Sequence, residues 1–249
     1  MLGRFEGFTL DIVSEIRTDA VPKVCSECAA RQISICRVLP HPELREMASV
    51  TATKTYLAGE NLVLEGDAAN YVFNITEGVV MLTRLLTDGR RQVLGFLFKG
   101  DFLGLAQGSD YGCTVQALTT VRVCRFPNSS FRRFLLKTPE LEQELLSRAS
   151  DELRAAQTHI TLLGRKTATE RVASFLLYIA DREAALGGSP DIAFLPMTRA
   201  DIADYLGITT ETVSRVISAM KRQGVIQLLP HGAVRINDHH QLEKAAMAL

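Results

Sequence analysis

Residues 198–223 read TRADIADYLGITTETVSRVISAMKRQ, a spacing typical of two short helices joined by a tight turn. Ala203 stands where the two helices would cross, which requires a small side chain. Gly207 stands at the turn, where glycine adopts a left-handed conformation without steric cost. Val213 and Val216 occupy positions of the second helix that would be buried against the first. The stretch therefore predicts a helix-turn-helix.

Capping residues and a following hairpin complete this prediction. Thr198 can cap the first helix, with Asp201 three residues later resembling a capping box, and Thr209 or Thr210 can cap the second helix. The remaining core of the motif is assigned to Ile202, Leu206 and Ile208. Two short β-prone runs, residues 225–228 and 233–236, flank a Pro-His-Gly turn and predict a β-hairpin wing.

The second helix, predicted over residues 210–223, would lie in the major groove of DNA with its first residues towards the base edges. Glu211, Ser214 and Arg215 suit base reading, because arginine binds O6 and N7 of guanine, glutamate accepts from the cytosine amino group, and serine does either. The alternative is that Glu211 and Arg215 form only a surface ion pair. The side chains predicted to contact the DNA backbone are Arg199, Thr210, Thr212, Lys221 and Arg222.

A long helical pattern precedes this domain, over residues 139–182. Apolar side chains recur there at alternating steps of three and four, which is the a/d pattern of a heptad repeat. This heptad seam consists of Leu146, Ala149, Leu153, Ala156, Ile160 and Leu163. Because flanking residues such as Glu144 and Arg148 are polar, we expect a parallel homodimer; the alternative is a helix lying on its own β-domain. The two alanines bury little area, so the dimer should be marginally stable.

Between residues 50 and 126 the chain changes to short β-prone runs separated by glycine turns. The runs cover residues 54–57, 61–64, 71–75, 79–86, 92–97 and 114–126, and the turns contain Gly59, Gly66, Gly78, Gly89 and Gly100. This regular spacing predicts a small double-sheet roll. Rolls of this kind that bind cyclic nucleotides place an arginine on the phosphate, whereas no Arg or Lys occurs between Lys99 and Arg122. We therefore expect a scaffold without a cyclic nucleotide.

Three cysteines are packed into residues 24–38, VCSECAARQISICRV, and two more lie far along the chain. Thiolates from Cys25, Cys28 and Cys36, with one remote thiolate, suit an iron–sulfur cubane, which takes one ligand per iron. Tetrahedral zinc is also compatible, and the spacing does not decide between the two or choose between Cys113 and Cys124. The alternative is that these small side chains only fill space.

Composition limits the remaining classes. The 249 residues are 47% hydrophobic and 22% charged with zero net formal charge, so DNA binding must come from a local surface. We find no signal peptide and no apolar run approaching roughly 18 residues, which predicts a cytoplasmic protein without a membrane partner. No metalloprotease, nucleophile-elbow or phosphate-loop motif accompanies the cysteines, so we do not expect an enzyme.

Taken together, residues 20–240 resemble the fumarate and nitrate reductase regulator (FNR) branch of the CRP/FNR superfamily. The resemblance is carried by the cysteine-rich arm, the glycine-punctuated roll, the heptad helix and the segment LGITTETVSR at residues 206–215. Within it, Glu211, Ser214 and Arg215 match a motif that is typical of regulators reading TTGAT-type half-sites. Residues 115–127, VQALTTVRVCRFP, resemble the stretch holding the family's fourth cluster ligand, which assigns that role to Cys124.

The resemblance implies one [4Fe-4S] cluster per subunit, held by Cys25, Cys28, Cys36 and Cys124. It implies an oxygen-responsive regulator, mainly an activator, that pairs on a palindromic operator, works with RNA polymerase and releases DNA when oxygen destroys the cluster. Two departures are visible: seven residues separate Cys28 from Cys36, and Ala156 stands where some members have an acidic residue. A regulator of the same fold that senses a haem ligand, thiol oxidation or zinc is the alternative.

The predicted fold is therefore α+β, with four parts. A cysteine-rich arm spans residues 1–40, and its residues 1–24 show no clear period and are predicted to be loose. A jelly-roll-like β-roll spans residues 41–136, beginning with a short helix over residues 41–48 after Pro40. A dimerisation helix follows at residues 137–164, and a winged helix-turn-helix occupies residues 165–249.

Overall fold

The computed structural model describes residues 22–104 and 108–247. Helix α1 (Lys23–Ser26) is followed by two 3₁₀ turns (Arg31–Ile33 and Ile35–Val38) and by helix α2 (His41–Ser49), which confirms the short helix expected after Pro40. Most of the loose arm predicted over residues 1–24 lies outside the described residues. Its last two residues, Lys23 and Val24, belong to α1, so the prediction was wrong at that end.

The predicted double-sheet roll is confirmed. Its strands are β1 (Ala52–Tyr56), β2 (Asn61–Val63), β3 (Tyr71–Glu77), β4 (Val80–Leu85), β5 (Arg91–Leu97), β6 (Phe102–Leu103), β7 (Thr114–Ala117) and β8 (Val121–Pro127). They form two four-stranded antiparallel sheets, in the orders β1-β8-β3-β6 and β2-β7-β4-β5. The space between the sheets is filled by buried side chains such as Phe73, Ile75, Val115 and Val123.

Three parts of the roll differ from the prediction. Residues 114–126 form two strands, β7 and β8, because the chain turns at residues 118–120. That turn is fixed by close packing: a Cβ on Gly78 would lie 2.4 Å from the carbonyl oxygen of Thr120, and the Thr119 hydroxyl accepts a hydrogen bond from the Val79 amide. The short strand β6 and helix α3 (Asn128–Leu135) were not predicted at all.

Helices α4 (Pro139–Arg165) and α5 (Ala168–Ala185) follow the roll. The middle of α4 is open to solvent, since the residues from Ser150 to Thr158 are all exposed. The prediction for Glu144 was wrong. It was expected to be a polar residue flanking the seam, but it is only 6% exposed. It is buried because Arg37 and Arg148 bind its carboxylate, so the charge is compensated.

The C-terminal domain contains β9 (Ile192–Phe194), α6 (Arg199–Leu206), α7 (Thr210–Arg222), β10 (Ile226–Leu228), β11 (Ala233–Ile236) and α8 (His239–Met247). The three strands form one sheet in the order β10-β11-β9, and the β10–β11 hairpin confirms the predicted wing. The wing is followed by a helix that was not predicted. This helix, α8, packs against α5, and its Leu242 side chain is completely buried.

The roll and the C-terminal domain share one hydrophobic core. Phe96 of β5 packs against Phe175 of α5 and Tyr205 of α6, with ring centroids 6.1 and 5.3 Å away. On the rim of this core, Arg91 of β5 binds the carboxylates of Asp201 and Asp204 at 2.5 and 2.8 Å. The roll therefore holds the first helix of the helix-turn-helix directly. Within the described ranges, no helix is long and apolar enough to cross a membrane.

Candidate functional site

Four of the five cysteines line one small opening between the N-terminal segment and the roll. Cys25 lies in α1, Cys28 just after it, and Cys36 in the second 3₁₀ turn. The fourth, Cys124, lies in the middle of β8, where the strand register places it between Thr53 of β1 and Asn74 of β3. Two regions of the chain almost ninety residues apart thus present thiols to one space.

The fifth cysteine lies elsewhere. Cys113 precedes β7 in the other sheet, and packs against the core between the sheets. Its charged neighbours are Arg84 and Glu65 rather than other cysteines. The spacing left Cys113 and Cys124 as equal candidates, and the fold brings only Cys124 to the three N-terminal cysteines.

Burial holds the thiols that line the opening in their neutral form. Burial, and after it the neighbouring cysteines, raises the pKa of the Cys124 thiol to about 12. Burial likewise raises the pKa of Cys36 to about 11, although a hydrogen bond with Ser34 opposes the shift. Several thiolates close together repel one another, so they need a bound cation to be deprotonated together. A cationic centre would supply that compensation.

Four thiols are the donor set both of an iron–sulfur cubane and of tetrahedral zinc. Among residues 22–104 and 108–247, no three His, Cys, Asp or Glu side chains are arranged to hold a single metal ion. Tetrahedral zinc requires four thiolates at about 2.3 Å from one point, whereas a cubane takes one thiolate per iron and so accepts more widely spaced sulfurs. The side-chain amide of Asn74 is a further polar neighbour of these thiols, since its Nδ2 lies 3.9 Å from the Cys36 sulfur.

The helix-turn-helix is formed as predicted. The Thr198 hydroxyl accepts from the Asp201 amide, and the Asp201 carboxylate accepts from the Thr198 amide, which completes the capping box. Gly207 adopts the left-handed conformation at φ 61° and ψ 39°. Thr209 caps α7 by accepting from the Thr212 amide at 3.2 Å. Of the expected buried contacts, Val213 is fully buried and Val216 is half-buried.

The side chains predicted to read bases lie together on the outer face of α7, where Glu211, Ser214 and Arg215 are all exposed. Arg215 Nε and Glu211 Oε1 are 3.7 Å apart, so the surface ion pair considered from the sequence is also present. Both side chains remain about three-quarters exposed, at 70% and 77%. A pair this exposed contributes little and leaves the guanidinium available to DNA.

The side chains predicted to contact the DNA backbone differ from one another in exposure. Thr210, Lys221 and Arg222 are exposed, whereas Thr212 is half-buried at the start of α7. Arg199 is half-buried at the start of α6, and burial lowers the pKa of its guanidinium.

The six residues of the heptad seam also differ in how exposed they are. Three of its large side chains, Leu146, Leu153 and Ile160, are 68%, 61% and 69% exposed on the single chain. Ala156 is exposed and Ala149 half-buried. The last member, Leu163, is half-buried against the C-terminal core. The open stripe of the seam therefore consists of Leu146, Leu153, Ala156 and Ile160.

Sequence reasoning missed the residue that connects this helix to the helix-turn-helix. Arg171 of α5 donates to the carbonyl oxygens of Leu163, Lys166 and Leu206 at 2.7, 2.9 and 2.8 Å. It thereby satisfies carbonyl groups at the end of α4 and at the end of α6 at once. No local pattern marks such an arginine, because one of its partners, Leu206, lies 35 residues further along the chain in α6.

Comparison with known proteins agrees with this architecture. A family model described as a cyclic nucleotide-binding domain matches residues 53–138, and one described as a Crp-like helix-turn-helix domain matches residues 170–245. The nitrogen fixation regulation protein FixK of Bradyrhizobium diazoefficiens is 41% identical, over 90% of this chain and 94% of its own length. The transcriptional activator protein FnrL of Cereibacter sphaeroides is 38% identical, over 89% of this chain and 91% of its own length.

A solved structure extends the comparison to the fold. FixK2 from Bradyrhizobium japonicum matches with a TM-score of 0.74 and 34% identity, over 80% of this chain and 99% of that chain. The similar proteins are transcription regulators rather than enzymes, which confirms both the resemblance stated from the sequence and the expectation of a non-enzymatic role. The chain belongs to the CRP/FNR family of DNA-binding transcription regulators.

Proposed function

We propose that this regulator is an oxygen-responsive activator that binds a palindromic TTGAT-type operator as a homodimer while its [4Fe-4S] cluster is intact. The observation that carries the proposal is the common opening lined by Cys25, Cys28, Cys36 and Cys124. Thiolates are the ligands that iron–sulfur clusters take in proteins, and four of them provide one per iron.

The four cysteines would join two parts of the chain. Cys25 and Cys36 lie in short helical segments and Cys28 lies just after the first of them, whereas Cys124 lies in a central strand of its sheet. When bound, the cluster supplies a centre whose integrity depends on oxygen. The protein's own part is to hold residues 22–38 against the roll, so that the order of that segment follows the state of the site.

Pairing is supported by the exposed part of the heptad seam. Leu146, Leu153 and Ile160 place three large apolar side chains on one stripe of a helix that is otherwise charged and solvated. Such a stripe is covered when a second copy of the helix lies alongside it. Two paired helix-turn-helices then present two α7 helices to DNA, which requires half-sites related by two-fold symmetry and about one helical turn apart.

A cyclic nucleotide is not part of the proposal, although the matching family model carries that name. Tyr111 is buried in the roll, where its hydroxyl donates to the Tyr71 carbonyl and accepts from the Tyr71 amide at 2.9 and 3.2 Å. The side chain thus fills space between the sheets, and residues 100–121 offer no Arg or Lys to a phosphate. Residues 105–107 of this region lie outside the described part of the chain.

Purification without oxygen tests the proposal. We expect a brown protein with broad absorption near 400 nm and about four irons and four sulfides per chain. Zinc in place of iron, or a haem spectrum, would replace the proposed sensor with one of the alternatives while leaving the DNA-binding function intact.

A further inference from the structure

Glu144 of α4 has unusual surroundings for a residue in a polar heptad flank. Its carboxylate lies between two guanidinium groups, with Oε2 at 2.8 Å from Arg37 Nη2 and Oε1 at 2.7 Å from Arg148 Nε. The side chain is only 5% exposed. Burial alone would raise the pKa of this carboxyl, but hydrogen bonds from the two arginines outweigh it and hold the pKa below its ordinary value. Glu144 is therefore ionised and paired.

Arg148 extends the contact to the backbone. One terminal nitrogen donates to the carbonyl oxygen of Ile33 at 2.9 Å, and the other donates to that of Gly100 at 3.0 Å. With Glu144, this arginine binds three acceptors from three parts of the chain: the N-terminal segment, the roll and its own helix. Its side chain is 19% exposed, so these hydrogen bonds are largely shielded from water.

The N-terminal segment meets this pair through closely packed residues. A Cβ on Gly100 would lie 2.9 Å from the side chain of Ile33, so the backbone of the roll touches the segment directly. Ile35 and Ser34 are fully buried, and the Ser34 hydroxyl accepts from the Cys36 amide at 3.3 Å. A shift of residues 33–37 would therefore move the partners of Arg148 and Glu144.

Helix α4 has few other attachments to its own chain near the seam. Leu141 and Leu145 are buried towards the roll and Leu162 towards the C-terminal core, but residues 150–158 are all exposed. Glu144 and Arg148 flank Leu146, the first seam residue, and Arg148 precedes Ala149, the second. The two charged residues thus lie where the anchored part of the helix becomes its open stripe.

We propose that Glu144 and Arg148 form a latch through which the cysteine-bearing segment, residues 30–38, positions the start of the heptad seam for pairing. The inference rests on the proposed function for its physiological signal. The contact itself does not depend on what that signal is. Glu144 and Arg148 join residues 30–38 to α4 in whichever state the chain forms a dimer.

Two substitutions test the latch, and the chain offers a matched control. Glu144→Gln keeps the size of the side chain and removes its charge. Arg148→Lys keeps the charge but cannot hold a carboxylate and two carbonyl groups together. Asp151→Asn is the control, because Asp151 and Arg154 form an exposed pair 3.3 Å apart on the same helix, away from the segment. Melting curves establish that each variant is folded.

The association constant is measured by sedimentation at several protein concentrations, together with iron content and with hydrogen exchange over residues 30–38 and 141–149. We expect Glu144→Gln and Arg148→Lys to weaken pairing by roughly tenfold or more, since each leaves a buried group without its partner, and to raise exchange in both regions. Asp151→Asn should change pairing less than about threefold. Unchanged pairing in folded Arg148→Lys, or faster exchange in residues 30–38 without weaker pairing, would overturn the proposal.

The outcome is separable from that of the proposed function. If wild-type protein contains no iron and its pairing ignores oxygen, the proposed sensor fails. The latch is then tested in that same iron-free protein, where the two substitutions must still weaken pairing. If iron is present but Glu144→Gln and Arg148→Lys lose it along with pairing while Asp151→Asn does not, the residues only hold the metal site and the latch is wrong.

Discussion

Replacing Leu153 by alanine should weaken pairing of two chains through the heptad seam of α4. The side chain is 61% exposed on the single chain, and it lies midway between Leu146 and Ile160 on the open stripe. Burying a whole leucine contributes about 1.5–3 kcal/mol. Taking about two-thirds of that for the exposed part, and counting both copies in a symmetric dimer, gives a loss of about 2–4 kcal/mol. This corresponds to a roughly 30- to 1000-fold weaker association.

Sedimentation equilibrium under anaerobic conditions measures this loss over a range of protein concentrations. Leu136→Ala is the matched control, because Leu136 is 88% exposed but lies between α3 and α4, outside the seam. Its association constant should equal that of the wild type. Wild-type pairing in Leu153→Ala would refute the assignment of the seam, and an equal loss in Leu136→Ala would show that exposed leucines in general, and not the stripe, drive association.

Three further outcomes are expected. Cys124→Ser should lose iron and anaerobic operator binding while Cys113→Ser keeps both; the reverse would exchange the two roles. Arg215→Ala should cost roughly 1–3 kcal/mol of operator binding and relax the base preference at one position, which a gel-shift panel of operator variants detects as unequal losses. Asp201→Asn should lower the melting temperature at neutral pH. In the folded chain, burial raises the pKa of this carboxyl, but hydrogen bonds from Thr198 outweigh it and the pKa is lowered. The ionised carboxylate therefore stabilises the fold at pH values above the unfolded-state pKa of about 3.9. This stabilisation is lost as the pH falls further, through the lower pKa of the folded state. The difference between variant and wild type should shrink below about pH 4; a constant difference would contradict the shift.

The helix-turn-helix could be predicted residue by residue because its determinants are local. Thr198 and Asp201 cap a helix three residues apart, and Gly207 adopts the conformation that its turn requires. Each of these effects acts within one or two turns of helix, so the sequence alone contains them. The predicted second helix and the two wing strands accordingly differ from α7, β10 and β11 by at most one residue at either end.

The parts that could not be predicted depend on contacts between distant residues. Residues 114–126 read as one β-prone run, and only the docking of Thr120 against Gly78 shows why the chain turns there. Helix α8 is stable because α5 offers it an apolar surface. Glu144 has the local pattern of a solvated flank, and it is buried because Arg37, over a hundred residues away, binds it.

The cysteine site lies between these two cases. The spacing of Cys25, Cys28 and Cys36 predicts a shared centre, since a short segment brings them together whatever the fold. The distal cysteine is decided by strand register: pairing of β8 with β1 and β3 presents Cys124 to the segment, whereas Cys113 precedes a strand of the other sheet.

The central claim is that the thiols of two distant regions hold one centre whose loss separates the paired subunits from DNA. The most direct measurement exposes anaerobically purified protein to air and follows iron content, sedimentation and operator binding in the same sample over time. We expect about four irons per chain at the start, and a parallel decline of iron, pairing and operator binding. Protein that contains no iron when purified without oxygen, yet pairs and binds its operator undiminished in air, would contradict the claim.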